Sequence, residues 1–574
     1  MDSLVDEACG YGRYQRVLLW LVLYPAQVSC GPQLYGQLLM FLEPDHWCRG
    51  SPPPEHWANG TERLQLCASL PSASTACPDG YEYDRRFLGD DETAVTQWDL
   101  VCNRRILATL SMFLFGTGLL AGHFLSVLVS HRWGQRACFT TFLFVQCLWG
   151  QRACFTTFLF VQCLFGMLAA LSSKFLVFLL FRTLVAVGTA GTWTSLSILV
   201  GDLAGRRHRA GALVCSRLAH GLGLLLLGLV SLAVRGWGHL AAATSVPFVA
   251  FLVYWRIIPN SPKWLLARGK LDRVEQLLVA IAHTNGKQVD FLYCEKLRAS
   301  LTRLSGREGS GIAAILHFPA QLPRVQSARR RRVVVVLIVG LLTGAVSLAQ
   351  VYLAASLAGN SYLHLLLMSC AELSACVAPL ALLERAGCGL VVFCGCLAGG
   401  AACLAHLALA GRPCLSLCLL AVAKASVGSS LAVLPAWLLE GAPCPGHQHL
   451  AHLAQAAELA AFPVVPLLFP ADSPETTLVV LSALLAFSCA LSVLACDTRR
   501  VRGLWCLWRP DAPWAAWSWE KSRDMKCRSI AWEFKYPQVP SPIPSLVKRQ
   551  EERKHDGRCS GHLRLAEVVR VTVV

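Results

Sequence analysis

Charge is scarce in this chain: 15% of its 574 residues are Asp, Glu, Lys or Arg, while 55% are hydrophobic. A water-soluble fold of this length has no interior large enough for so much apolar surface, and a mean hydropathy of +0.48 makes a lipid bilayer the natural solvent. Gly-x-x-x-x-Gly-Lys-Ser/Thr is missing, so an ATP-driven pump has no engine in this sequence. A cleavable signal pattern is missing too. Met1 to Gln15 is polar, with Asp2, Asp6, Glu7 and Arg13, and the apolar run after it is expected to serve as its own insertion signal. Cys444, His447, His449 and His452 crowd together, but at no ordinary ligand spacing, so neither a metal nor any other cofactor is expected. The formal charge of +17 raises nucleic acid as a partner. Its excess, however, sits in one central loop and the tail, between apolar runs, which fits basic loops at a membrane face and excludes a nucleic-acid groove.

What the chain has in abundance is apolar runs. A helix needs roughly 20 apolar residues to cross a hydrocarbon core, since each residue rises ~1.5 Å and every backbone polar group must pair within the segment. Runs of this kind fall at Val17 to Leu42, Ile106 to Val129, a region ending near Ser172, Phe175 to Val200, Ala210 to Val234 and Leu240 to Ile258. They resume at Val333 to Leu357, Tyr362 to Leu383, Gly389 to Ala410, Cys414 to Leu439, His449 to Phe469 and Thr476 to Ala495. The expected architecture is all-α and integral to the membrane, with two six-helix halves (17–258 and 333–495) joined by a hydrophilic stretch at 259–332. Carriers built from repeated bundles have this layout, with the substrate site at the midplane between the halves.

The basic residues orient the chain. Lys263, Arg268, Lys270, Arg273, Lys287, Lys296, Arg298, Arg303, Arg307, Arg324 and the run Arg329 to Arg332 crowd the central stretch. The positive-inside bias makes this stretch cytosolic, and with it residues 1–16 and the tail 496–574. The loop 43–105 then faces the other side. It is acidic and holds the sequon Asn59-Gly60-Thr61, a candidate for glycosylation. Its Cys48, Cys67, Cys77 and Cys102 suggest two disulfides, with three pairings open. The remaining cysteines lie mostly in apolar runs, as small buried hydrophobes. The tail is basic and carries Trp505, Trp508, Trp514, Trp517 and Trp519, a composition suited either to an anionic membrane face or to an unstructured tail.

Specific letters then point to a family. Gly12-Arg13-Tyr14-Gln15-Arg16, Pro44-Asp45-His46-Trp47-Cys48-Arg49 and Val95-Thr96-Gln97-Trp98-Asp99-Leu100-Val101-Cys102 resemble the organic cation/anion/zwitterion transporters, solute carrier family 22 of the major facilitator superfamily. So do Phe181-Arg182 with Gly188 and Gly191, Arg207-His208-Arg209-Ala210, and Ile258-Pro259-Asn260-Ser261-Pro262-Lys263-Trp264-Leu265-Leu266. The likeness covers roughly residues 12 to 275. Beyond that, Lys424 falls where the family has a tenth-helix lysine, and Glu440 with Pro443 where it has Glu-Leu-Tyr-Pro. The resemblance implies a plasma-membrane carrier of small organic ions working by alternating access, with no covalent chemistry.

The departures bear on gating. In place of the family's Asp-Arg-x-Gly-Arg-Arg stands Ser130-His131-Arg132-Trp133-Gly134-Gln135-Arg136, and Asn260 replaces an acid. The companion loop Glu384-Arg385-Ala386-Gly387-Cys388 keeps an acid and one base. Each lost pair at a wet interface is worth about 1 kcal/mol, enough to shift an inward/outward equilibrium several-fold. These losses keep a second class open, a transport-inactive receptor or scaffold of carrier shape. Gly134 to Trp149 is also repeated almost letter for letter at Gly150 to Phe165. Sixteen residues turn a helix by about 160° beyond whole turns and lengthen it by about 24 Å, so one continuous helix cannot absorb both copies. Cys154 to Ser172 is the expected third helix, with the first copy displaced.

Ionised groups at membrane depth cost several kcal/mol each and persist only when paired or facing water. The candidates are Arg182, Arg217, Glu372, Lys424 and Glu458. Glu458, in Ala457-Glu458-Leu459-Ala460-Ala461, lies close to where the resemblance puts Asp-Leu-Gly-Gly in cation carriers, so it is the expected group for substrate charge. A carboxylate there slightly favours organic cations as substrate, and Lys424 and Glu372 are its expected polar surroundings. Arg182 is expected to anchor helices. Asp202, Arg209, Arg132, Arg136, Glu384, Arg385 and Glu440 are the expected gating and structural set.

Overall fold

A computed structural model describes residues 11–49, 77, 80–84, 92–132, 151–267, 269–287, 289, 291–305, 327–357, 360–380, 387–409, 413–439, 449–468 and 474–495. All belong to the first of two compact units, Met1–Ala495. The second, Cys496–Val574, lies outside them, and with it the tryptophan-rich tail.

Among the described residues, twelve apolar helices carry the fold. The first half contains α1 (Arg13–Met40), α2 (Arg105–Arg132), α3 (Gln151–Ala170), α4 (Phe175–Leu203), α5 (Gly205–Ala233) and α6 (Trp237–Arg256). The second contains α7 (Ser327–Ser356), α8 (Ser361–Leu380), α9 (Cys388–Ala408), α10 (Pro413–Leu439), α11 (His449–Leu459 continuing as Ala461–Leu468) and α12 (Pro474–Ala495). Ten of them are long and apolar enough to cross a membrane, and the described parts of α3 and α11 form two shorter apolar helices. Proline marks the irregular ones. α1 passes through a π-helical turn at Leu19–Leu23 just ahead of Pro25, α11 breaks at Ala460 ahead of Pro463 and Pro466, and the second part of α6, Pro247–Arg256, is a 3-10 helix opening on proline. A proline supplies no N–H to the ladder, so the helix yields next to it. α3 takes in the second copy of the duplicated segment; the first lies outside the described residues.

Close packing relies on missing side chains. A Cβ on Gly31 of α1 would meet the His220 carbonyl of α5 at 2.6 Å, and Gly223 of α5 faces Val28 of α1 in return. Between the halves, Gly116 of α2 lies against Pro463 of α11, and a Cβ on Gly228 of α5 would meet Leu366 of α8 at 2.9 Å. Small residues let helix backbones approach where lipid provides no hydrophobic drive for association. The halves thus meet along α2–α11 and α5–α8, with α10 also against α5.

At the α1–α2 end, strand His46–Cys48 pairs antiparallel with Tyr81–Tyr83, and Cys48 is bonded to Cys77. Cys102 is disulfide-bonded as well, while Cys67 and Asn59 lie outside the described residues. The Tyr83 hydroxyl donates to Asp99 at 2.9 Å, and burial followed by this bond pushes its pKa up. Trp98 packs within 5.5 Å of Phe175, Phe178 and Trp237, which fastens the loop to α4 and α6.

The stretch 259–332, expected as a charged loop, contains helices Pro262–Ala267, Leu271–Thr284 and Phe291–Ser305 around a small core of Leu265, Val274, Leu278, Ile281, Leu297 and Leu301. The chain start docks on it: Tyr14 N–H donates to Asn285 Oδ1 at 2.9 Å, and Asn285 Nδ2 donates to Gln15 at 3.0 Å.

Candidate functional site: a charged cluster between the halves

Four ionised side chains from four helices meet near the middle of those helices. Arg217 of α5 grips Glu458 of α11 with two parallel bonds, Nη1 to Oε2 at 2.7 Å and Nη2 to Oε1 at 2.6 Å. The same Nη2 lies 3.4 Å from Oε1 of Glu372 on α8. Lys424 Nζ of α10 pairs with Glu372 Oε2 at 3.0 Å. Charge therefore alternates along the series Glu458, Arg217, Glu372, Lys424, and the four sum to zero. This balance answers the cost of burying ions in low dielectric, because each charge has an opposite neighbour. Bidentate guanidinium–carboxylate geometry gives the Arg217–Glu458 pair direction as well as strength.

The two ends of the series differ in exposure. Lys424 and Glu372 side chains are 1% and 4% exposed, Arg217 and Glu458 11% and 13%. Lys424 is held by the Ser347 hydroxyl, the Ser347 carbonyl at 3.0 Å and the Tyr35 hydroxyl at 3.4 Å, with its ammonium 5.6 Å from the Tyr35 ring centre. Arg217 lies 5.4 Å over Trp193 of α4, whose other contact is a parallel stack on His220 at 4.7 Å. Both cations thus rest on aromatic faces, which favour positive charge in a dry setting. Two buried nitrogens here have no hydrogen-bond partner among the described residues: Arg217 Nε and His220 Nδ1.

The first half supplies one charge to this cluster, Arg217, and the second half supplies three. The sequence alone marks Glu458, Lys424 and Glu372 as neighbours-to-be, and the structure brings all three together. It adds Arg217 as the group joining them. That role was invisible in a linear reading, although an arginine in the apolar stretch 210–234 was its one signal. Glu440 of the expected gating and structural set lies outside the described residues, as do Arg136, Glu384 and Arg385, and nothing is described of the Arg132 side chain.

Arg182 stands apart. It is 1% exposed in α4, donates to Gln37 Oε1 at 2.7 Å and Gln33 Oε1 at 3.0 Å of α1, and lies 5.2 Å over Phe115. No carboxylate pairs with it among the described residues. The two glutamines pass the polarity on, Gln37 to Ser111 at 3.0 Å and Gln33 to the Thr244 carbonyl at 2.7 Å. At the opposite end of α4, Asp202 accepts from Ser261 at 2.6 Å and pairs with Lys263 at 3.2 Å, while Arg209 donates to the Gly201 carbonyl at 2.9 Å. Asp202 and Arg209, both of the expected gating set, thus lie at the α4–α5 end, each bonded there. No group of three potential metal ligands occurs among the described residues.

Known proteins resemble this chain at both levels. The sugar (and other) transporter family matches residues 102–434. The β-alanine transporter of Drosophila melanogaster is 25% identical over 481 residues, covering 76% of each chain, and solute carrier family 22 member 3 of Mus musculus is 23% identical over 67% of this chain and 72% of its own. The proton:xylose symporter XylE, of the major facilitator superfamily, superposes with a TM-score of 0.55 at 14% identity, covering 84% of this chain and 95% of that one, a likeness of fold. A matched stretch of this extent, twelve apolar helices among the described residues and these relatives lead to one conclusion: the chain is a multi-pass membrane protein with the major facilitator fold, and it belongs to the sugar (and other) transporter family, with members of solute carrier family 22 among its relatives.

Proposed function

We propose that the protein carries a small organic ion across a lipid bilayer by alternating access of its two six-helix halves, with Glu458 meeting the substrate's positive charge and Lys424 and Glu372 forming its polar surroundings. One observation carries this reading: the charged series bridges the halves at mid-helix, where ionised groups survive only for a purpose that offsets their cost. Relatives named a β-alanine transporter, a carcinine transporter and an organic cation transporter protein support a substrate bearing an amine. Binding at one site facing each side in turn requires no covalent step, and the reading includes no enzymatic activity.

The sidedness is part of the proposal. Both termini and 259–332 face the cytosol, the disulfide-bonded loop faces outward with Asn59 glycosylated, and the membrane is the plasma membrane. Asp202 with Lys263 and Ser261 then ties α4 to the cytosolic helices, and Arg209 braces the α4–α5 turn, so this cluster serves cytosolic gating. The test is uptake into proteoliposomes over a panel of labelled organic cations, anions and zwitterions. Saturable, competable uptake of at least one class is expected. Its absence for all of them would overturn the proposal in favour of a transport-inactive receptor or scaffold.

A further inference from the structure

Arg217 occupies the carboxylate that a cationic substrate needs. It is fixed to α5, holds Glu458 through both carboxylate oxygens at 2.6 and 2.7 Å, and keeps a second carboxylate, Glu372, in reach at 3.4 Å. A simple cation entering at Glu458 displaces the guanidinium. Arg217 and Lys424 are then left to share Glu372, and the buried cluster holds a net charge of +1. A simple anion entering at Arg217 strands Glu458 and leaves −1. Either imbalance is expensive at membrane depth.

A ligand carrying both an ammonium and a carboxylate avoids both costs. Its ammonium replaces Arg217 on Glu458 and its carboxylate takes the released guanidinium, so every buried charge keeps a partner and the sum remains zero. Two further features favour this exchange. The Arg217–Glu458 end is the more exposed end of the series, and Arg217 Nε, buried and without a partner among the described residues, is a donor still free to receive a carboxylate oxygen. Resting 5.4 Å over Trp193, the guanidinium also has an aromatic support that does not depend on Glu458.

We infer that Arg217 is the specificity-determining residue of this site, acting as a tethered competitor that makes it select zwitterions bearing an ammonium and a carboxylate over ions bearing either group alone. The inference rests on the proposed carrier function. It is tested by equilibrium binding to the full-length protein in lipid nanodiscs with a matched series: β-alanine, ethylamine, which lacks its carboxylate, and propionate, which lacks its ammonium. Wild-type protein is expected to bind β-alanine at least tenfold more tightly than either single-charge analogue. Arg217→Gln is expected to invert the order of β-alanine and ethylamine, since Glu458 is then unclaimed. Arg217→Lys keeps the charge but loses the fork, and is expected to weaken β-alanine binding while preserving the wild-type order. The wild-type ranking needs no variant to fold. Ethylamine bound as well as β-alanine by wild type, or an unchanged ranking in a monodisperse Arg217→Gln, would overturn the inference. Saturable uptake of other organic ions with no zwitterion bound would overturn it and leave the carrier function standing, whereas no binding and no flux for any class would remove both.

Discussion

At the scale of single residues, the chain resolves each buried ion differently. The carboxylates of the charged cluster are paired with cations, but the hydrogen bonds of Arg182 go to amide oxygens among the described residues. Its guanidinium polarises Gln33 and Gln37, which in turn hold Ser111 and the Thr244 carbonyl, so one side chain organises contacts from α1, α2, α4 and α6. Removing it strands two glutamine oxygens in a dry interior, each costing roughly 1–3 kcal/mol. Arg182→Met is therefore expected to lower the melting temperature of the purified protein by several degrees, with Arg182→Lys recovering only part, because an ammonium lacks the fork that reaches both amides. A nearly unchanged melting curve for Arg182→Met would contradict this. Glycine provides a sharper contrast. Gly31→Leu must push apart α1 and α5, while Gly211→Ala meets nothing within 4 Å and gains helix propensity. Thermal denaturation should show a large loss for the first and no loss for the second.

At the scale of elements, the spans were legible because lipid imposes a length and a hydropathy on every crossing, and the expected boundaries fall within a few residues of most helices. Two things were not legible. The stretch 259–332 carries so many Lys and Arg residues that it was expected to be a loop, yet Val274, Leu278 and Ile281 recur at helical spacing and bury one face of Leu271–Thr284. Charge density on the outer face of a small helical bundle hides an inward stripe of this kind. The other concerns Asp202. Family-like letters directed attention to the acid missing at Asn260, whereas tertiary packing supplies an acid from α4 to Lys263. The pair is only 8% and 12% exposed. Breaking a fully buried pair costs about 3–5 kcal/mol, and a pair at a helix end reaches somewhat less, roughly 1–3 kcal/mol. Asp202→Asn should destabilise the protein by that amount in thermal denaturation, and the double exchange Asp202→Lys with Lys263→Asp should restore part of the loss. Equal losses in single and double variants would show that the two charges do not act as a pair.

At the scale of the whole molecule, a charged junction joins the two six-helix halves, and the sequence forecast the residues better than their connections. Glu458, Glu372 and Lys424 were recognisable because ionised letters inside apolar runs are rare. Which of them touch depends on the rotation and depth of four separate helices, and a shift of one residue moves a side chain by ~100° around its helix. Arg217 acquires its importance only when α5 is set against α8 and α11. The proposed sidedness can be checked at this scale: epitope tags within 259–332 should be reached by antibody only after cells are permeabilised, and Asn59→Gln should abolish any glycosidase-sensitive mobility shift. A tag reached on intact cells would reverse the orientation. The account as a whole depends on Glu458 being the group that meets a moving ion. Counterflow into proteoliposomes preloaded with the transported compound tests this directly. Wild-type protein should show saturable exchange, and Glu458→Gln, reconstituted at equal density, should reduce it at least tenfold; exchange equal to wild type in that variant would contradict the account.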